Sequence, residues 1–128
     1  MLGVELAREA PICLAIPPRT HKFDLASKDR KWVVECKIFS FTASGNTPSA
    51  KLATLLEAVH YLNLLPAGTV RILVMNRALV NGRSESLAEY FVRLKGSFLC
   101  GVRIVELSVD GQVRLLTGEP FGNRSSPL

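Results

Sequence analysis

Two acidic residues and a lysine in the first third of the chain have the types and spacing that phosphate chemistry requires. Asp24 and Glu35 are separated by ten residues, and Lys37 follows Glu35 by two. Alternate residues of a β-strand share a face, so Glu35 and Lys37 are expected beside Val33 on one face of an apolar strand. Charges inside an apolar strand are costly unless they are paired or bound to a ligand, which indicates a functional role for this pair.

Asp24 is expected to join this pair from the preceding strand. A polar turn centred near Asp29 predicts that the two strands pair as a hairpin, which places Asp24 nearly opposite Glu35. Two carboxylates suit a hard divalent cation, Mg²⁺ or Mn²⁺, which would lower the pKa of a bound water and polarise a phosphate. Lys37 is then expected to orient that water or to stabilise the negative charge that develops on the phosphorane.

The elements that must position these residues follow a mixed pattern of helices and strands. Periodicity, Pro and Gly predict helices over residues 3–10, 47–65 and 84–94 and strands over residues 12–16, 22–27, 31–39, 70–75, 102–109 and 112–116. We expect an α/β or α+β sandwich, with a mixed central sheet flanked by helices and a C-terminal helix and β-hairpin. Phe23 and Leu25 are expected on one face of their strand, with Asp24 and Ala26 on the other. In the next strand, the set expected to pack in the core is Trp32, Val34, Cys36 and Ile38.

Length and composition are those of one folded domain. The chain has 128 residues, 48% of them hydrophobic and 21% charged, which excludes a disordered chain, and its apolar runs are too short for a membrane span. We expect the domain over residues 1–117 and a flexible tail over residues 118–128. Cys13, Cys36 and Cys100 form no C-x-x-C pair and are expected as buried thiols in a reducing cytoplasm. A net charge of +5 favours an anionic partner.

The hairpin segment resembles a known family. Asp24, ten further residues and then Glu35-Cys36-Lys37 are similar to the motif of the PD-(D/E)xK nuclease superfamily, which has the restriction-endonuclease-like fold. Phe23 stands where the family name has proline. The predicted order of elements is also similar to the αβββαβ core of that fold. In size and plan the chain resembles archaeal Holliday-junction resolvases and other small stand-alone nucleases of the superfamily.

The resemblance implies a role for each motif residue. Asp24 and Glu35 would be the metal ligands, the backbone carbonyl of Cys36 would add a third, and Lys37 would be the catalytic lysine. Many members carry a further glutamate on the first helix, where Glu5 is the better match and Glu9 the second. The implied activity is Mg²⁺-dependent hydrolysis of DNA phosphodiester bonds by a homodimer or by a complex with a partner protein.

Basic residues near the hairpin are candidates for contacts with a nucleic-acid backbone, although a charge run is usually a solvated face. The candidates are Arg19, His21, Lys22, Lys28, Arg30, Lys31 and Lys51. The sequence does not distinguish DNA from RNA as the substrate. Two other readings stay open. One is a catalytically inactive module of the same fold that binds nucleic acid or a protein. The other is a structural subunit in which Glu35 and Lys37 pair only with each other.

Overall fold

Short β-branched runs alternating with two longer amphipathic segments form a six-stranded sheet and two helices. The computed structural model describes residues 5–14, 19–39, 49–79 and 84–117. The elements are β1 (Leu6–Leu14), β2 (Arg19–Ser27), β3 (Trp32–Lys37), α1 (Ser49–Asn63), β4 (Val70–Asn76), α2 (Leu87–Lys95), a short 3₁₀ helix (Gly96–Phe98), β5 (Arg103–Leu107) and β6 (Val113–Thr117). Neither of the two α-helices in these segments is long and apolar enough to cross a bilayer.

The sheet is mixed, and its strands lie side by side in chain order. β1, β2 and β3 pair antiparallel, β3, β4 and β5 pair parallel, and β6 returns antiparallel to β5. The crossovers β3–α1–β4 and β4–α2–β5 advance in the same direction, and crossovers of one hand then place both helices on one face. The mixed α/β class and the C-terminal hairpin are therefore confirmed.

One large core lies between the sheet and both helices. Leu55 and Leu62 of α1 pack there with Phe91 of α2, and the sheet contributes residues such as Phe23 and Leu73. The spacing of the buried residues of α1 at three and four positions explains why that helix presents one apolar stripe. Helix α2 begins with a capping box between Ser86 and Glu89.

The opposite face of the sheet carries a smaller apolar cluster built on Val34, Ile72 and Val105. Both described helices pack on the other face, so the expectation of helices flanking the sheet is corrected for the described residues. The set expected in the core from β3 is also corrected. Cys36 is exposed and Ile38 is 82% exposed, because this face lacks a covering helix at that end of the strand. All three cysteines, expected as buried thiols, are exposed.

The predicted first helix over residues 3–10 is wrong for residues 6–10, because residues 6–14 form one edge strand, β1. The strand predicted over 12–16 is confirmed for residues 12–14, which end β1. Its pairs with β2 run from Leu6↔Ser27 to Leu14↔Arg19. Pro11 would end a helix but is tolerated in an edge strand, where its missing N–H costs no ladder bond on the open side. Parts of the predictions fall on residues 1–4, 15–16, 47–48 and 118–128, which lie outside the described residues.

The core position of Leu62 provides a test of the fold. Its side chain is fully buried on α1, so Leu62→Ala should lower the free energy of unfolding by about 2–5 kcal/mol through lost burial and a residual cavity. Ile38→Ala is the matched control and should change it by less than about 0.5 kcal/mol, because the side chain is exposed. Urea denaturation of the two variants measures both values, and equal losses would contradict the assigned core.

Candidate metal centre

At Asp24 and Glu35, hydrogen bonds between side chains and backbone replace the backbone-to-backbone hydrogen bonds that join β2 and β3. Regular backbone pairs join Leu25 to Val34 and Ala26 to Val33. At the next position, the Asp24 N–H donates to Glu35 Oε1 at 3.0 Å. The N–H of the residue after Glu35 donates to Asp24 Oδ2 at 2.7 Å. The structure thus brings together the two acids that the sequence singled out, and each carboxylate is oriented by the backbone of the opposite strand.

An irregularity in β1 and β2 accompanies this arrangement. Phe23 packs in the large core, whereas Leu25, two residues further, packs on the opposite face. The strand therefore changes face at Asp24, and the expectation that Phe23 and Leu25 share a face is wrong. Glu9 lies across from Asp24 in the β1–β2 register, between two regular pairs, and has a φ of 48°. Such a conformation is uncommon for a residue other than glycine and marks a local departure from regular strand geometry.

Glu35 is held from the helix side of the sheet as well. The residue is 5% exposed, and its Oε2 lies 3.4 Å from His21 Nε2. The His21 ring stacks on Tyr61 of α1, with 3.8 Å between ring centroids, and meets the edge of Phe23 at 4.5 Å. Packing between α1 and β2 therefore holds the His21 imidazole in place, and the imidazole in turn orients the Glu35 carboxylate.

This arrangement disfavours the ionised form of the Glu35 carboxyl. Burial raises the pKa of the Glu35 carboxyl, and the negative charge and close contact of Asp24 raise it further. The hydrogen bonds from the Asp24 backbone N–H and from His21 act in the opposite direction but do not cancel these causes. Two adjacent carboxylates of which one is buried repel each other when both are ionised, and a proton or a cation between them relieves the repulsion.

The donor set fits a hard divalent cation that keeps open coordination positions. Asp24 Oδ1 accepts no hydrogen bond from the described residues, whereas Oδ2 and both oxygens of Glu35 are oriented. The Cys36 N–H points toward Asp24, and the carbonyl of a strand residue leaves on the same side as its N–H. Within the described ranges, no group of three or more His, Cys, Asp and Glu side chains is arranged so that it could hold a metal ion by itself. Mg²⁺ is commonly held by one or two carboxylates, with waters and substrate phosphate completing its shell.

Lys37 lies on the same face as Glu35, one alternation further along β3, and is half-buried. In the parallel register it is level with Met75 of β4. Within the segments that the structure describes, no ion pair joins Lys37 to Glu35; the ion pair found at Glu35 is with His21. The alternative in which Glu35 and Lys37 pair only with each other requires an ion pair between them, and the described residues do not show that ion pair.

Cys36 is exposed on the opposite face of β3, which corrects the expectation that its thiol lies in the core. Partial desolvation by the surrounding strands and the charges of Asp24 and Glu35 raise the pKa of the thiol. A neutral thiol pointing away from the carboxylates is a poor nucleophile for this site. Only the backbone of Cys36 therefore belongs to the candidate centre.

The structure does not bring Glu5 to the two carboxylates. Glu5 precedes β1, and its neighbour Leu6 pairs with Ser27, so Glu5 lies beside Lys28 near the β2–β3 turn. The second choice, Glu9, is the acid whose backbone lies across from Asp24. Its own side chain is exposed and lies 4.0 Å from the ammonium of Lys22.

The basic candidates separate into three groups. His21 and Lys22 lie next to Asp24 in β2, and His21 contacts Glu35. Lys28, Arg30 and Lys31 are exposed at the β2–β3 turn, four or more residues from the acids, or about 13 Å along a strand. Arg19 begins β2, where its backbone pairs with Leu14, and Lys51 is half-buried in the first turn of α1. The first group is adjacent to Asp24 along β2, and the turn group is not.

Sequence reasoning missed two features of this edge of the sheet. One is Tyr61, which nothing in the pattern of α1 distinguished from a core aromatic residue. The other is Glu106, a buried carboxylate within the apolar run of β5. A charge inside an apolar strand is the signal that singled out Glu35, and the same signal was available at Glu106.

Comparison of the chain with protein-family models, with curated proteins and with solved structures returns no match in any of the three. The chemistry of the centre is therefore inferred from its own geometry.

The contact between the two acids predicts a specific titration. Because Asp24 raises the pKa of Glu35 by its charge and proximity, Asp24→Asn should lower the Glu35 pKa toward its ordinary value. Asp110→Asn, in the distant β5–β6 turn, is the matched control and should leave it unchanged. Carboxyl ¹³C chemical shifts followed through a pH titration measure the effect, and an unchanged Glu35 pKa in Asp24→Asn would mean that the carboxylates are not adjacent in solution.

Proposed function

We propose that this protein is a Mg²⁺-dependent nuclease of the restriction-endonuclease-like fold that hydrolyses phosphodiester bonds of DNA. The observation that carries the proposal is the replacement of the β2–β3 ladder by the paired carboxylates of Asp24 and Glu35. Supporting it are the antiparallel hairpin, the following helix α1 and the parallel strand β4, in the order of the resembling core. The first helix of that core has no counterpart in residues 6–14, which form β1.

Each residue of the centre has a distinct task in this proposal. Asp24 and Glu35 hold the ion with the Cys36 carbonyl, and their backbone hydrogen bonds keep the oxygens in place without the ion. When bound, a divalent cation lowers the pKa of a coordinated water and neutralises charge on the phosphate. Lys37, on the same face and half-buried, places a fixed positive charge where the phosphorane gains negative charge.

Substrate binding is proposed to follow the positive charge of the chain. The net charge of +5 favours a polyanion, and His21 and Lys22 stand beside the candidate centre. The domain offers little surface for recognition, so a homodimer or a partner protein is proposed to complete the substrate-binding surface. In a homodimer, two-fold symmetry would place one metal centre at each strand of a DNA duplex. RNA is the competing substrate.

A catalytically inactive module is the alternative function. It would keep the fold and bind nucleic acid or a protein, and Asp24 and Glu35 would then bind a cation without turnover. Lys37 is half-buried and makes no ion pair with Glu35 among the described residues, which favours the nuclease over a module without turnover.

Cleavage assays separate these readings. The full chain with Mg²⁺ or Mn²⁺ should cut at least one member of a panel of branched, duplex and single-stranded DNA and RNA. Lys37→Ala should slow cleavage about 100-fold or more, since a fixed charge at the developing oxyanion is lost. Lys31→Ala, at the distant turn, is the matched control and should retain the wild-type rate.

Calorimetric titration with Mn²⁺ completes this test. Asp24→Asn and Glu35→Gln should each abolish measurable binding, while Lys37→Ala and Glu5→Gln should retain it. No metal-dependent cleavage by the wild type, with metal binding intact, would replace the nuclease by the inactive module. Equal metal binding by the wild type and by Glu35→Gln would remove the metal centre altogether.

A further inference from the structure

The protein holds both carboxylate oxygens of Glu35, one through the backbone and one through a side chain. Oε1 accepts from the backbone N–H of Asp24 at 3.0 Å, whereas Oε2 lies 3.4 Å from Nε2 of the His21 ring. A carboxylate only accepts hydrogen bonds, so with Glu35 ionised the imidazole proton is assigned to Nε2. His21 is therefore the side chain that limits how freely this buried carboxylate turns.

Aromatic contacts on two sides fix the His21 ring. It stacks on Tyr61 of α1 with 3.8 Å between centroids and an interplanar angle of 11°, and it meets the edge of Phe23 at 4.5 Å. Phe23 is itself fully buried in the large core. A distance of 3.4 Å is long for an N–H donor, so the effect of His21 on Glu35 depends on a ring that cannot move away. The two aromatic neighbours supply that restraint.

Asp24, the other carboxylate of the centre, is held on one side. Its Oδ2 accepts the backbone N–H of Cys36 at 2.7 Å. Three of the four carboxylate oxygens thus have their positions set before an ion arrives. Two of the three donors are backbone N–H groups, which no side-chain substitution removes. The contribution of the third, His21, can be tested by substitution.

Restraint of the carboxylates affects which ion the centre prefers. Ca²⁺ takes about six to eight oxygen ligands in a flexible arrangement, often with both oxygens of one carboxylate. Mg²⁺ requires a near-octahedral shell, keeps several waters and is held by one or two carboxylates, and Mn²⁺ shares its preference for oxygen ligands. Because ligand number and flexibility separate these ions, a Glu35 carboxylate held at both oxygens favours Mg²⁺ and Mn²⁺. Release of one oxygen favours Ca²⁺.

A second buried carboxylate at the same edge of the sheet does not compete for the ion. Glu106 of β5 accepts hydrogen bonds through Oε1 from Arg77 at 3.1 Å and from Arg114 at 3.0 Å, beside a cavity of about 280 Å³. Two guanidinium groups in contact with this carboxylate repel a divalent cation. A metal ion bound at this edge is therefore assigned to Asp24 and Glu35.

We propose that His21 is a positioning residue that sets the ion specificity of the metal centre. By holding Oε2 of Glu35, it favours Mg²⁺ and Mn²⁺ over Ca²⁺. Tyr61 contributes through His21, because its ring holds the imidazole. The inference rests on the metal centre of the proposed function, but it does not depend on cleavage of a nucleic acid. It assigns His21 to a carboxylate and not to a substrate phosphate.

Calorimetric titrations of the full chain with Mn²⁺ and, separately, with Ca²⁺ test this assignment without an activity measurement. His21→Asn is the main variant, because its amide is too short to reach Glu35. Its Mn²⁺ affinity should fall about tenfold or more, the usual effect of removing a partner of a metal-bound carboxylate. Its Ca²⁺ affinity should change by less than about threefold, because the released oxygen compensates for the lost contact.

Matched variants separate the hydrogen bond from the packing. In His21→Gln the amide nitrogen is as many bonds from Cβ as the imidazole Nε2, so this variant should regain most of the discrimination. His60→Asn makes the same change as the main variant at an exposed residue of α1, 5.8 Å from the Tyr61 ring, and should leave both affinities unchanged. If His21→Asn does not fold, Tyr61→Ala should reduce the discrimination, and Tyr61→Phe should preserve it.

Equal effects on the two ions would overturn the proposal. Equal losses in His21→Asn would mean that the imidazole supports the site without selecting an ion, and equal gains would mean that it competes with the ion as a cation. Anisotropy of a labelled DNA duplex without divalent metal should be unaffected by His21→Asn. Weaker DNA binding together with an unchanged ion ratio would make His21 a phosphate contact.

The same titrations distinguish failure of this inference from failure of the proposed function. Absence of Mn²⁺ binding by the wild type would remove the metal centre and the role of His21 together. Mn²⁺ binding by the wild type, with an unchanged ratio of Mn²⁺ to Ca²⁺ affinity in His21→Asn, would remove the role of His21 alone. Ion discrimination that depends on His21 in a protein without cleavage activity would uphold this inference and overturn only the nuclease.

Discussion

The adjacency of two carboxylates, one of them buried, is the constraint on which the rest of this structure depends. Asp24 and Glu35 each accept a hydrogen bond from the backbone of the opposite strand, so neither can turn away from the other without breaking the junction of β2 and β3. Burial and mutual repulsion raise the pKa of Glu35. A proton or a cation between two carboxylates held in this way relieves their repulsion.

The helix-bearing face of the sheet helps to hold the Asp24 and Glu35 carboxylates together. Both crossovers place their helices on the same face, and Tyr61 of α1 stacks on the His21 ring that contacts Glu35. The same topology aligns the carboxyl ends of β3, β4 and β5, which is why Lys37 and Glu106 occur at one level. A carboxylate pair, a lysine and an arginine-lined pocket therefore share one edge of the sheet.

Much of this was predictable from local sequence, and the exceptions have physical causes. The Asp24–Glu35 hairpin, both described helices and the final hairpin follow from periodicity and turn residues. Residues 6–10, predicted as part of a helix, lie in β1 because pairing with β2 outweighs their weak helical pattern. The change of face at Asp24 depends on Glu9 of the neighbouring strand β1, and the pocket at Glu106 depends on arginines from two other elements. These contacts form only in the folded chain, so the local sequence around Asp24 or Glu106 carries no pattern that predicts them.

The most direct test of the central claim is a crystal structure of the full chain grown with Mn²⁺ and measured near the manganese absorption edge. The account predicts an anomalous difference peak within coordination distance of carboxylate oxygens from both Asp24 and Glu35, with the Cys36 carbonyl beside it. Carboxylates that have moved apart, or a peak bound elsewhere with none between these two residues, would contradict it.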